Sequence, residues 1–317
     1  MKIFKKRETL VQSISYMAVM SAINVVFVLL TTLQPWLMFL IVFVLPLTSA
    51  IVTLYCKKRY FPIYAFVTIG LCFLVTMWNI SDTLFYIIPS LISGFLFGLF
   101  ISYKLPSSIS IFICSIVQFG FSYLMIPFIK FLLGIDIIKT FTIAFKVQNL
   151  AYIRYVVPCF IYFLSITQTS FAYIVIKDEL PKFNYDPTSF NKKYDIINTI
   201  SLFVFLFLSL IFAFIKDKNV ESAIFGPMSY LFMLMGLYFT VYCLTVLLTK
   251  NNKTIYILLG ASFLIFVILF GVFYQLVTPP YGLLLVQILF LFIGIIALLN
   301  NLFIFNKNKD KMLSKEE

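Results

Sequence analysis

The chain has 317 residues, of which 62% are apolar and 11% charged, and its formal net charge is +12. Soluble domains average about 45–50% apolar and about 25% charged residues, so too few polar side chains are present here to cover a water-facing surface, and a soluble fold is excluded. The chain has no histidine, which removes the usual zinc sites, a Ser-His-Asp triad and a histidine proton shuttle.

A bilayer span needs about 20 mainly apolar residues. The N-terminus carries Lys2, Lys5, Lys6 and Arg7 ahead of an apolar run over 11–32. That run is longer than a secretory signal and has no A-x-A-like exit, so it predicts a retained first span. Nine further spans are predicted over 36–55, 61–79, 83–103, 108–133, 152–176, 196–215, 222–248, 254–277 and 281–305, with charges almost wholly between them. The expected fold is therefore all-α: a polytopic membrane protein of about ten transmembrane helices. Pro46 and Pro89 are the prolines expected to kink spans. The 177–195 segment mixes both charge signs with Pro181 and Pro187. It divides the chain into a six-span region (1–180), a linker (181–195) and a four-span region (196–317). Residues 134–151 are interrupted by Asp136, Lys139 and Lys146, which suits an interfacial or re-entrant helix.

Lys and Arg set the orientation. With the N-terminus inside, strict alternation puts 18 of the 24 basic residues in cytoplasmic segments, and the C-terminus is cytoplasmic too. The expected location is the cell membrane, multi-pass. The basic residues lie in short segments between spans rather than in a separate basic domain, so the bilayer and not nucleic acid is the expected partner.

Three constellations stand out. Small residues recur every four positions: Ala18 and Ala22 in the first span, and Ser90, Gly94, Gly98 and Ser102 in the fourth. Such stripes let helix backbones approach closely, either within the chain or on a docking partner. A polar stripe places Ser115, Gln118 and Ser122 on one face of the fifth span, and Ser165, Gln168 and Thr169 on one face of the sixth. Asn24 and Gln287 lie in the first and tenth spans. Buried amides need hydrogen bonds, so these residues point at other helices or line a ligand pocket. At the outer rim, Trp36, Trp78, Asn79, Asp82, Lys146, Asn149 and Arg154 offer aromatic rings beside polar donors. They suit either an amphipathic small molecule or ordinary headgroup contacts.

No P-loop, no H-E-x-x-H and no intramembrane carboxylate pair is present, and none of the five cysteines forms a C-x-x-C pair. These absences leave no cofactor or metal to expect and point away from an enzyme.

The six-span region resembles the substrate-binding S component of energy-coupling-factor (ECF) vitamin transporters. The likeness rests on Ala18-x-x-x-Ala22, on Phe43-Val44-Leu45-Pro46-Leu47 with Ser49-Ala50, and on Pro89 with Ser93-Gly94-Phe95-Leu96-Phe97-Gly98. The whole chain resembles the YybS-like membrane proteins, which add a hydrophobic tail matched here over 231–246 and 289–306. The resemblance implies an S-component-like six-helix front with a four-helix tail. It also implies a vitamin-like ligand, and docking through Ala18 and Ala22 on a transmembrane coupling subunit served by ATPases. S components end after six spans, whereas this chain adds four. A membrane scaffold or regulator that binds partners without transport is the alternative.

Overall fold

The computed structural model describes residues 9–77, 83–134, 136, 139–140, 143, 150–183, 193–215, 225–249, 253–272 and 287–300. Among them no strand occurs. The helices are α1 (Leu10–Leu33), α2 (Met38–Tyr55), α3 (Phe61–Val75), α4 (Ile88–Ser102), α5 (Ser107–Leu133), α6 (Leu150–Glu179), α7 (Lys193–Phe214), α8 (Phe225–Thr249), α9 (Lys253–Val272) and α10 (Gln287–Asn300). Each expected span overlaps one of these helices. Among the described residues, seven helical stretches are long and apolar enough to cross a bilayer, while α2, α9 and α10 hold shorter apolar stretches (Leu40–Tyr55, Ile255–Leu269 and Gln287–Asn300).

The distribution of polarity identifies the solvent. On α1 the buried positions are Ser13, Met17, Ser21, Asn24, Val28 and Thr31, one every three or four residues. The opposite face presents Val11, Ile14, Val19, Val26, Leu29 and Leu33, all at least 45% exposed. A helix at the surface of a soluble protein is arranged the other way, with its apolar stripe inward. In hydrocarbon, by contrast, polar side chains find partners only on neighbouring helices, so they turn inward and the aliphatic face meets lipid. The protein is a multi-helix, membrane-embedded protein.

The chain divides into two compact units: Met1–Ile153 with Phe160–Phe190, and Arg154–Cys159 with Asn191–Glu317. In the first unit α1 starts at Thr9, whose side chain accepts from the backbone N–H of Gln12 at 3.3 Å and so satisfies one of the free donors of the first turn. The core gathers around α2. One cluster joins Met17, Val28, Leu45, Tyr64 and Leu91, and a second joins Ala50, Leu54, Phe97, Tyr173 and Ile176. Pro46 lies inside α2, as expected for a kink position. Pro89 lies inside the helical stretch Thr83–Ser102, where a π-helical turn at Thr83–Ile87 passes directly into α4. A proline inside a helix removes one backbone donor, and π-turns and prolines are both places where helices bend. The 134–151 segment lies largely outside the described residues.

In the second unit α7 packs on α8. Phe205 stacks between Phe232 and Phe239, with ring centroids 6.2 and 5.7 Å away, and Phe212 stacks on Phe232 at 5.2 Å. Small residues again admit large ones. A Cβ added at Gly236 would lie 2.8 Å from the Leu206 Cδ2, and one at Gly294 would lie 2.9 Å from the Leu202 Cδ2.

Candidate functional site

The best-formed polar constellation lies between α1, α2 and α3. Asn24 Nδ2 donates to the Tyr64 hydroxyl at 2.7 Å, the Tyr64 hydroxyl donates to Thr48 Oγ1 at 3.3 Å, and Thr48 Oγ1 donates to Asn24 Oδ1 at 2.8 Å. The three residues close a ring, and the Thr48 hydroxyl also lies 3.0 Å from the Val44 and Leu45 carbonyls of its own helix. Asn24 is fully buried, and Tyr64 and Thr48 are buried. Close to this ring Ser21 and Thr68 share a hydrogen bond of 2.7 Å. Asn24 therefore points at neighbouring helices, the first of its two expected roles.

The α5 stripe behaves in the same way. Gln118 and Ser122 are buried, and Gln118 donates its Nε2 hydrogen to Gln168 Oε1 on α6. Phe119 meets Tyr162 edge-on at 5.6 Å beside this pair. The two amide-bearing stripes read in the fifth and sixth spans are thus brought together.

The α4 stripe is a packing surface. Ser90, Gly94 and Gly98 are buried. A Cβ at Gly94 would lie 2.4 Å from the Pro46 carbonyl oxygen and 2.6 Å from Ser49 Cβ, and one at Gly98 would lie 2.6 Å from Thr53 Cβ. Only glycine lets α2 and α4 approach this closely. Ser102, the last of the stripe, accepts from Lys58 Nζ at 3.1 Å. Ala18 and Ala22, by contrast, are exposed on the aliphatic face of α1.

Of the rim residues, Trp36 lies in a 3-10 turn after α1, is 69% exposed, and donates Nε1–H to Gln34 Oε1 at 3.2 Å. Arg154 is on α6, with its side chain outside the described set, and Trp78, Asn79, Asp82, Lys146 and Asn149 lie outside the described residues. A neighbouring ion pair is described. Lys130 at the end of α5 bonds Asp136 at 2.8 Å, and the Lys139 N–H reaches the other carboxylate oxygen at 3.2 Å. Lys130, and then the Lys139 amide, hold the Asp136 carboxyl below its ordinary pKa.

In the second unit Gln287 is buried and donates to Ser209 at 2.7 Å, while Ser209 donates to the Ser229 carbonyl at 2.7 Å. A small cleft lined by Thr199, Tyr242, Cys243, Val246, Leu247, Ala297 and Asn300 has room for about one water molecule.

Sequence reading alone missed Thr48, Tyr64, Ser21, Thr68 and Ser209. The hydroxyls carried a usable signal: Ser21 stands three residues before Asn24, on the same helix face. Tyr64 carried none, because tyrosines are common near span ends and nothing marks this one as buried.

No protein-family model matches the chain, and no curated protein and no solved structure is significantly similar to it.

Proposed function

We propose that the chain is a membrane subunit of the ECF S-component type. In this reading the first unit binds a small amphipathic solute and docks laterally on a coupling subunit through the α1 face that carries Ala18 and Ala22. The observation that carries the reading is the opposite placement of the two small-residue stripes. Ser90, Gly94 and Gly98 are consumed by α2, whereas Ala18 and Ala22 stay on the surface and leave a shallow, backbone-proximal track for another membrane helix. The six-helix size of the unit and the absence of a nucleotide-binding loop fit a subunit energised from outside. The N- and C-termini would be cytoplasmic, as the loop charges indicate.

A second reading, a scaffold without transported solute, is favoured by the Gln118–Gln168 bond. That bond uses in helix pairing two of the amides otherwise available to a ligand.

Both readings use the α1 face, so one experiment tests docking and separates them. The Ala18→Leu/Ala22→Leu protein is purified from its native membrane beside wild type, and both samples are analysed by native mass spectrometry. Loss of a co-purifying membrane partner from the variant supports lateral docking, and equal recovery overturns it. A stoichiometric small molecule on wild type selects the solute-binding subunit. A partner held without any small molecule selects the scaffold.

A further inference from the structure

Two loops of the first unit, one between α2 and α3 and one between α4 and α5, bring cations together. Lys57, Lys58 and Arg59 stand on the first and Lys104 on the second, and all four are exposed. Lys58 ties the loops together: its Nζ donates to Ser102 Oγ at 3.1 Å and lies 4.2 Å from the centre of the Tyr103 ring. Arg59 lies 4.8 Å from the Tyr60 ring and donates to the Tyr60 hydroxyl at 2.7 Å. The lysine ammonium has three donors and the guanidinium five, so each keeps donors free after these contacts. Neither ion pair among the described residues, Lys130–Asp136 or Lys182–Glu179, involves any of the four.

Lys104 adds a second, independent observation. Helix α4 ends with the Leu105 N–H on the Phe100 carbonyl at 2.9 Å and the Lys104 N–H on the Ile101 carbonyl at 3.0 Å. Lys104 itself has φ of 55°. This is the Schellman closure, whose left-handed position is ordinarily glycine because a Cβ is strained there. The end of α5 follows the ordinary choice, with Gly134 at φ 69°. A lysine in the strained position keeps a cation two residues along from Ser102, which Lys58 reaches, where backbone conformation alone favours glycine.

We propose that Lys57, Lys58, Arg59 and Lys104 form a binding site for the phosphate of an anionic membrane phospholipid. Charge complementarity selects a phosphate. Position selects the lipid as its source: the cations cap the ends of α2, α3 and α4, where apolar helix gives way to loop, and Tyr60 and Tyr103 lie beside them as rings do at a headgroup layer. Cations at such a surface each contribute about fivefold to affinity for an anionic lipid.

The test uses the full chain in detergent and reads lipid retention by native mass spectrometry. Phosphatidylglycerol and phosphatidylcholine are added in equal amounts, and inorganic phosphate is added as a separate arm. Wild type is expected to retain phosphatidylglycerol at least about fivefold better than phosphatidylcholine. The K57Q/K58Q/R59Q/K104Q protein, with unchanged circular dichroism, is expected to retain both alike. K104G is expected to lose part of the preference while melting no lower than wild type, so lost binding cannot be ascribed to lost folding. K182Q, which removes a cation already paired with Glu179, is expected to keep the preference. The proposal is overturned if the quadruple variant binds like wild type, if wild type does not discriminate between the lipids, or if K182Q and K104G lose retention equally. Displacement of the lipid by millimolar inorganic phosphate would reassign the site to a free anion and overturn the lipid.

Discussion

Helices α1 and α4 carry the same short pattern, small residues four apart, and the fold puts them to opposite uses. In α4 the pattern faces α2 so closely that added atoms would meet backbone. In α1 it lies on the outer surface. The difference is decided by the residues around the pattern. On α4 Ser90 and Ser93 share the face of Gly94 and Gly98, so polar and small residues coincide and the whole face turns inward. On α1 Ser13, Ser21, Asn24 and Thr31 occupy a face of their own, leaving Ala18 and Ala22 among valines and isoleucines. A small-residue stripe in a membrane helix is thus a packing surface when polar residues share its face. It remains on the surface when they do not.

The largest expected effect tests the buried stripe. Gly94→Leu forces side-chain atoms against the Pro46 carbonyl and Ser49, atoms that cannot yield without moving α2. Overpacking of this kind costs about 3 kcal/mol or more, and thermal unfolding in detergent should show it as loss of a cooperative transition. A melt within a degree or two of wild type would show that α2 and α4 do not meet at this residue.

Next in size is the polar face of α1. Asn24→Ala opens the ring and removes both of its bonds to the neighbouring helices, while the Tyr64 hydroxyl keeps Thr48 and the Thr48 hydroxyl keeps the Val44 and Leu45 carbonyls. The expected loss is about 1 kcal/mol in the same unfolding measurement, in line with interhelical hydrogen bonds in membranes. If Asn24→Ala proves neutral, the polar face is not what orients α1, and the contrast with α4 loses its cause.

How much of this was legible in the sequence follows from the same physics. Apolar length gave the helical, membrane-embedded character of the chain, since a segment of α5's composition has no stable place but hydrocarbon, and seven described stretches are long enough to cross a bilayer. Asn24 and Gln118 were recognisable as inward-facing because an unpaired amide in lipid is costly. Their partners were not. Whether Asn24 would meet Tyr64 depends on the rotation of α3 about its axis, which hydropathy does not encode. The winding change before Pro89 was hidden for a similar reason: proline signals an irregularity but not that the helix winds as a π-turn ahead of it. The fate of the Ala18 and Ala22 pair was readable in principle from the polar residues of α1, and a search for small-residue spacing alone passes over it.

An effect of similar size and opposite sign concerns how α4 ends. Lys104→Gly relieves the left-handed strain at φ 55° and should raise stability by about 1 kcal/mol, seen as a higher melting temperature. The comparison is Gly134 at the end of α5, where glycine already occupies the equivalent conformation; there Gly134→Ala should lower the melting temperature by a similar amount. A fall on Lys104→Gly would mean that the lysine side chain stabilises the α4 end more than its backbone strains it.

The smallest effect is the one that separates the two stripes most sharply. Ala18→Leu/Ala22→Leu adds bulk to a face with no described neighbour, in the company of Val19, Ile23 and Val26. Surface changes away from packing features stay within about 0.5 kcal/mol, and leucine is at least as good a helix former as the residues around it. Unfolding should therefore be indistinguishable from wild type. The same kind of substitution that unravels α4 would then leave α1 intact, and any lost association with a membrane partner could be assigned to the surface itself. A destabilisation approaching that of Gly94→Leu would instead show that Ala18 and Ala22 are already occupied within the chain, which would remove the basis for lateral docking.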